Sequence, residues 1–259
     1  MRLKLYQIDA FTKKVFSGNP AAVCPLEYWL EDDVLQKIAD ENNLSETAFF
    51  VKEDNSYKIR WFTPTSEVDM CGHATLASAY VLFEYLNFSK NEIIFNSKSG
   101  ILKIKKENGR LEMDFPTQEI IKTAIPTNIY KAFNIEPIEC FKSMDYILVF
   151  ENEEDIINAK PKFELLKNID ARGVIITAKS EKYDFVNRFF APKVGIDEDP
   201  VTGSAFTQLS PYWSKIFNKS SFSAKQLSKR GGEVFCELKG SRVIISGYCK
   251  KYLEGIIEL

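Results

Sequence analysis

The sequence predicts an α+β protein built twice over, each half a curved, mostly antiparallel sheet around one central helix. Three observations lead there. The first is an internal repeat. Arg60-Trp61-Phe62-Thr63-Pro64 recurs as Arg188-Phe189-Phe190-Ala191-Pro192 at an offset of 128, and Gly72-His73-Ala74 recurs as Gly203-Ser204-Ala205 at an offset of 131. The second offset persists in Ser97-Lys98 with Ser228-Lys229 and in Gly109 with Gly240, so the three-residue change falls between the proline and the glycine. The second observation is strand-like alternation on both sides of Asn108-Gly109, a hairpin dipeptide. The third is a pair of strongly apolar helical segments, each opened by one of the repeated glycines.

Taken in order, Lys4, Tyr6 and Ile8 alternate with Leu3, Leu5 and Gln7 as a first strand. An outer helix is expected over Asp32 to Asn43, with Asp32 or Glu31 near its start and Val34, Leu35, Ile38 and Ala39 on one face. From Gly72, the residues Ala74, Leu76, Ala77, Ala79, Tyr80, Val81, Leu82, Phe83 and Leu86 make a helix apolar nearly all round, which belongs inside the protein. Ile101, Ile104, Leu111 and Met113 lie in the hairpin runs. Phe206, Leu209, Tyr212, Trp213, Ile216 and Phe217 form the second central helix. The halves should meet near residues 115 to 125, giving domains 1–117 and 118–251, with the last strand, near 252–259, packing back on the first domain.

Composition removes several classes of function. The 34 Lys and Arg residues face 36 Asp and Glu residues across 259, a net charge of -2, so no basic excess exists to neutralise nucleic-acid phosphates or an anionic membrane. A hydrophobic content of 45% fits a folded globular chain. Five cysteines at 24, 71, 140, 236 and 249 contain no C-x-x-C pair, which argues against a disulfide framework and a structural zinc site. No apolar run approaches the ~20 residues that span a bilayer, and the first residues lack the apolar core of a secretory signal, so a reducing cytoplasmic setting is expected. The single histidine, His73, excludes a multi-histidine metal centre.

The chemistry concentrates at the two glycine-led openings. Helix N-termini expose backbone N–H groups and the positive end of a dipole, so Gly72 and Gly203 together can hold one small anion from two sides. Asp199, before Pro200, is either a substrate-holding carboxylate or a turn-former. His73, just inside a helix N-terminus, is expected as a neutral imidazole. Glu46, between the outer helix and the apolar run Ala48-Phe49-Phe50-Val51, is expected to be partly buried, with desolvation raising its pKa toward the operating pH.

These residues sit in blocks that closely resemble the phenazine-biosynthesis PhzF-like isomerases, within the group sharing the diaminopimelate epimerase fold. In order they are Asp9-Ala10-Phe11-Thr12 with Phe16-Ser17-Gly18-Asn19-Pro20-Ala21-Ala22-Val23, then Ile38-Ala39 with Asn43-Leu44-Ser45-Glu46-Thr47-Ala48-Phe49. Arg60-Trp61-Phe62-Thr63-Pro64, Cys71-Gly72-His73-Ala74-Thr75, Glu198-Asp199-Pro200-Val201-Thr202-Gly203-Ser204-Ala205 and Ser228-Lys229-Arg230-Gly231-Gly232 complete the set, which runs nearly end to end. The resemblance implies two half-barrel domains with central helices, an active site between them, no metal or organic cofactor, and a homodimer. It implies Glu46 as general acid/base, His73 and Asp199 as groups that hold the substrate and assist proton movement, and Gly72, Gly203 and Ser204 as the binders of a substrate carboxylate.

The wider fold group includes epimerases with two opposed thiols, one before each helix-opening glycine. Here Cys71 precedes Gly72 but Thr202 precedes Gly203, so two-thiol racemisation lacks one of its groups. Cys71 then reads as a small apolar filler. Two rivals stand beside the isomerase: a hydrolase using Ser204, His73 and Asp199 as a triad, without the G-x-S-x-G turn, and a non-catalytic metabolite-binding protein, which would not need Glu46.

Overall fold

A computed structural model describes residues 1–133 and 135–259, and the chain divides into one unit of Met1–Asp114 with Ser246–Leu259 and a second of Phe115–Ile245. The first boundary falls just before the expected residue 117. The return to the first unit comes at Ser246 rather than near 252.

In the first unit β1 (Arg2–Ala10) pairs antiparallel with β2 (Asn19–Leu26). Gly18, at φ 71°, makes the turn into β2. A Cβ there would sit 2.1 Å from the Ala10 carbonyl oxygen, so only glycine fits. The chain crosses through α1 (Asp32–Asn42) to β3 (Glu46–Glu53), parallel to β2. Leu35, Ile38 and Ala39 bury the inner face of α1, while Val34 is half-buried. Asn43 ends the helix in the left-handed conformation at φ 47°. Then come β4 (Ser56–Phe62), antiparallel to β3, the short β5 (Glu67–Val68) and α2 (Gly72–Tyr85). β6 (Glu92–Ser97) lies parallel to β4, and β7 (Gly100–Glu107) and β8 (Arg110–Pro116) close the run. The β7–β8 hairpin turns on Asn108 (φ 50°) and Gly109 (φ 77°), the two positive values its dipeptide predicts.

The second unit opens with β9 (Ile121–Lys122) and α3 (Thr127–Ala132), then repeats the same plan. β10 (Glu139–Lys142) is antiparallel to β11 (Tyr146–Val149), and β11 is parallel to β12 (Val174–Lys179) after a crossover holding α4 (Glu153–Asn158) and α5 (Phe163–Leu166). β12 is antiparallel to β13 (Phe185–Phe190), α6 (Phe206–Phe217) follows, and β14 (Ser221–Gln226) lies parallel to β13 and antiparallel to β15 (Gly232–Lys239). After β16 (Arg242–Gly247), β17 (Cys249–Glu258) pairs with β1 of the first unit along its length.

One contact explains the shift in the repeat offset. Arg60 on β4 binds Glu67 through Nε (2.8 Å) and NH2 (3.0 Å), and Arg188 on β13 binds Glu198 in the same two-pronged way at 2.6 and 3.1 Å. The acid lies 7 residues after the arginine in the first unit and 10 in the second, so the inserted residues fall inside the loop that this clamp closes.

The two central helices differ. α2 is buried along most of its length, whereas α6 exposes Ile216 (44%) and has one polar edge. α6 also starts later than its glycine: Gly203–Ala205 form a 3-10 turn, and the α-helix begins at Phe206. Pro211 inside α6 cannot donate to the Thr207 carbonyl four residues back, and that carbonyl instead accepts the Gln118 N–H at 3.0 Å. Among the described residues no helix is long and apolar enough to cross a membrane, and all five cysteines are free.

Candidate active site

The first unit gathers three predicted or flagged groups at one point. Glu46 is the first residue of β3, Cys71 is the N-cap of α2 and His73 lies in its first turn. His73 Nε2 is 3.0 Å from Glu46 Oε2, and Cys71 Sγ lies 3.5 Å from His73 Nδ1 and 3.9 Å from Nε2. The side chains of His73 and Glu46 are only 8% and 13% exposed. Despite its nearness to the imidazole, Glu46 Oε2 makes no hydrogen bond: the approach is an ion-pair contact without N–H···O alignment.

Electrostatics at this point reverse two expectations drawn from the sequence. Burial does push the Glu46 carboxyl up, but the His73 charge, with contacts from His73 and Cys71, outweighs it and holds the carboxyl below its ordinary value. Burial likewise disfavours charge on His73, yet Cys71 and Glu46 outweigh it and hold the imidazole well above its ordinary value. Glu46 is therefore an anion and His73 a cation at neutral pH, not a raised carboxyl beside a neutral ring. The helix dipole that argued for a neutral His73 is the weaker influence here, because a carboxylate at 3.0 Å is closer than the dipole's diffuse charge. Burial, with Glu46 nearby, pushes the Cys71 thiol up to about 11, so it stays protonated.

Gly72 completes this opening. A Cβ at Gly72 would meet nothing closer than Met113 Cε at 3.8 Å, so packing does not require glycine there, and its smallness keeps the backbone approachable. The N-cap Cys71 makes no side-chain capping bond to the first turn.

The second unit holds the other three predicted residues in a different setting. Asp199 Oδ2 accepts the Thr202 hydroxyl at 2.5 Å. Gln226, fully buried, accepts the Thr202 N–H at 2.9 Å and the Asn187 Nδ2–H at 3.1 Å through Oε1, and donates from Nε2 to the Asp199 carbonyl at 2.7 Å. Ser204 Oγ accepts from Arg172 NH1 at 3.0 Å, and Gly203 lies buried between Thr202 and Ser204. Arg172 is locked by Asp145, taking Oδ1 at 2.9 Å from Nε and Oδ2 at 2.6 Å from NH2, and Gln208 Nε2 donates to the same Oδ2 at 2.7 Å.

That network removes the support for a serine hydrolase. The side chain on Ser204 is a guanidinium, which has donors only and cannot take the hydroxyl proton, while His73 is engaged with Glu46 and Cys71. Sequence reasoning missed Asp145, Arg172, Gln208 and Gln226. They come from four separate elements or loops with no shared motif, and the signal that a buried Asp and Gln bind each other exists only once the chain is folded.

Strand register shows how far the two units diverge. Thr47 pairs with Phe62 and Val174 with Phe190, so the residue equivalent to Glu46 is Gly173. A Cβ at Gly173 would stand 2.6 Å from the Phe190 carbonyl oxygen, so no carboxylate can occupy that position.

Each unit carries a central helix, and in the first a buried carboxylate–imidazole pair, Glu46 with His73, lies at the opening of α2. The chain belongs to the phenazine biosynthesis-like (PhzC–PhzF) family, whose model matches residues 8–255. It is 47% identical over the full length of both chains to an uncharacterized isomerase of Pseudomonas aeruginosa. It is similar to a PhzF-family crystal structure from Enterococcus faecalis at 46% identity and TM-score 0.98, covering all of each chain. A hydroxyproline epimerase from Agrobacterium vitis, at 10% identity over 99% of this chain and 92% of its own, with TM-score 0.62, shares the fold alone.

Proposed function

We propose that the protein is a cofactor-independent isomerase that moves a proton between carbons of a small carboxylate-bearing metabolite, with Glu46 as its acid/base. The observation that carries this reading is the Glu46 Oε2 atom: buried, ionised and without a hydrogen bond, so a lone pair is free for a substrate proton. The Glu46 carboxylate removes a proton from one carbon, leaving a delocalised carbanion and a neutral Glu46. The Glu46 carboxyl exchanges its proton with solvent and then protonates a second carbon, while the electron pair shifts along the substrate. No thiol is needed.

The other groups favour the charge that develops. His73, held as a cation, is placed to stabilise the carbanion, and the first-turn N–H groups at Gly72 offer the positive end of α2 to the substrate carboxylate. Asp199, Gly203 and Ser204 are substrate-binding residues in this reading, and the working form is a homodimer in the cytoplasm. Because Arg172 fills one lone pair of Ser204 Oγ, the Ser204 hydroxyl hydrogen is directed away from Arg172, which suits it to donate to an anion.

Turnover in heavy water tests the chemistry. A panel of cyclic and unsaturated carboxylic acids incubated with the protein should include one that gains deuterium at carbon, and Glu46→Gln should abolish that gain. Deuterium incorporation by Glu46→Gln at the wild-type rate would overturn the assignment.

A further inference from the structure

We propose that Glu46, Cys71 and His73 form a zinc-binding site, and that Zn2+ bound there inhibits the protein. Three donor atoms of the kinds zinc prefers, a carboxylate oxygen, a thiol sulfur and an imidazole nitrogen, lie within 4.8 Å of one another. In a tetrahedral site the nitrogen–oxygen and nitrogen–sulfur edges are about 3.3 to 3.6 Å, as zinc bonds of ~2.0 to 2.3 Å require. The present separations are 3.0 Å from His73 Nε2 to Glu46 Oε2 and 3.9 Å from Nε2 to Cys71 Sγ, which lies nearer Nδ1 at 3.5 Å, so binding through Nε2 requires the Cys71 side chain to turn toward that nitrogen as the Glu46 edge opens by a few tenths of an ångström.

An independent observation points to a ligand here. Glu46 Oε2 is buried, lies 3.0 Å from His73 Nε2 and yet forms no hydrogen bond, so it turns its lone pairs elsewhere. The donors also come from rigid backbone: Glu46 starts β3, and Cys71 and His73 flank the opening of α2. On binding, the Cys71 thiol and the His73 imidazolium each release a proton to solvent, Glu46 enters as the carboxylate, and water takes the fourth position. Thiolate with imidazole selects Zn2+ over Mg2+ and Ca2+, whose sites are built from oxygen. The sequence hides this cluster because it has one histidine and no C-x-x-C, and the third donor sits on a separate strand. Inhibition follows if Glu46 is the acid/base, as proposed above, since a metal-bound carboxylate cannot accept a carbon-bound proton; binding itself does not depend on that reading.

The experiment uses the full chain, reduced and stripped of metal, titrated with Zn2+ against a chromophoric chelator and with Cd2+ while the ultraviolet thiolate-to-cadmium band is followed. One equivalent of Zn2+ should bind. Cys71→Ser should lose the cadmium band and bind zinc at least ~10-fold more weakly, His73→Asn should weaken zinc by at least ~10-fold, and Cys249→Ser should keep both signals. Absence of binding at millimolar zinc, or a band that survives in Cys71→Ser, overturns the site. Zinc that binds with this variant pattern but leaves deuterium incorporation unchanged overturns the inhibition, and counts against Glu46 as the base while the site stands.

Discussion

The openings Cys71-Gly72-His73 and Thr202-Gly203-Ser204 occupy equivalent places in two units with the same strand pairing, yet they hold opposite kinds of polar chemistry. In the first unit Glu46 and His73 form an ion pair whose carboxylate keeps an unused lone pair. In the second, Thr202 is bound to Asp199 and Gln226, Ser204 is bound to Arg172, and the place of Glu46 is taken by Gly173, where no side chain fits. The two units share a strand pairing, but among the described residues the first brings a carboxylate and an imidazole together at its helix opening while the second fills its own with hydrogen bonds to Asp199, Gln226 and Arg172. A buried group can exchange protons only if part of its bonding capacity is left open, while a group meant to hold something is best fully engaged.

The largest test of that division is Glu46→Gln. It preserves shape and removes the titrating group, so proton transfer should fall by ~100-fold to 10,000-fold, measured as the rate of deuterium incorporation in a variant that loses some stability but still folds. A comparable loss from Asp199→Asn with Glu46→Gln unaffected would place the chemistry in the second unit and break the comparison.

Next in size is the foundation of the rigid opening. Asp145 is fully buried, carries the Arg172 guanidinium and takes a further bond from Gln208. Removing one partner of a buried ion pair leaves an uncompensated charge, so Asp145→Ala should lower unfolding stability by ~3 kcal/mol, read by urea denaturation. A loss below ~1 kcal/mol would mean that water readily replaces the carboxylate, and that this opening is less rigid than its hydrogen bonds suggest.

A smaller effect is expected where the second thiol of the wider fold group would stand. Thr202 donates to Asp199 at 2.5 Å, so Thr202→Val should cost about 10- to 100-fold in kcat/KM by removing that hydroxyl donor, and Thr202→Ser should restore most of it. Equal damage from valine and serine would show that the methyl group, not the hydroxyl, is what matters.

Much of the fold was legible because it depends on period and punctuation: the α1 boundaries, the Asn108-Gly109 turn and the two apolar helices are all local signals. The repeat offset even located the clamp loops before the Arg60–Glu67 and Arg188–Glu198 pairs were visible. The candidates for the site were legible too, in the sense that the motif blocks name them. Their charge states were not. Burial alone argues for a raised Glu46 and a neutral His73, and only the 3.0 Å contact between residues 27 apart in sequence reverses both. The Asp145–Arg172–Gln208 support was invisible for the same reason, being assembled from segments that meet only in the folded unit.

The ion pair ties stability to pH with a defined sign. Glu46 is lowered by folding, so its contribution is present above its unfolded value near 4.5 and is lost as pH falls through the lower folded value. His73 is raised by folding, so its contribution is full below 6.5 and is lost as pH rises through the higher folded value. Since His73 is the only histidine, one imidazole signal in an NMR titration reports on it without assignment. The account predicts that this signal remains that of the imidazolium well above pH 6.5 in the wild type, and that Glu46→Gln moves its titration down. A ring that titrates at or below 6.5 and ignores Glu46→Gln would contradict the coupled Glu46–His73 ion pair on which the contrast between the two units rests.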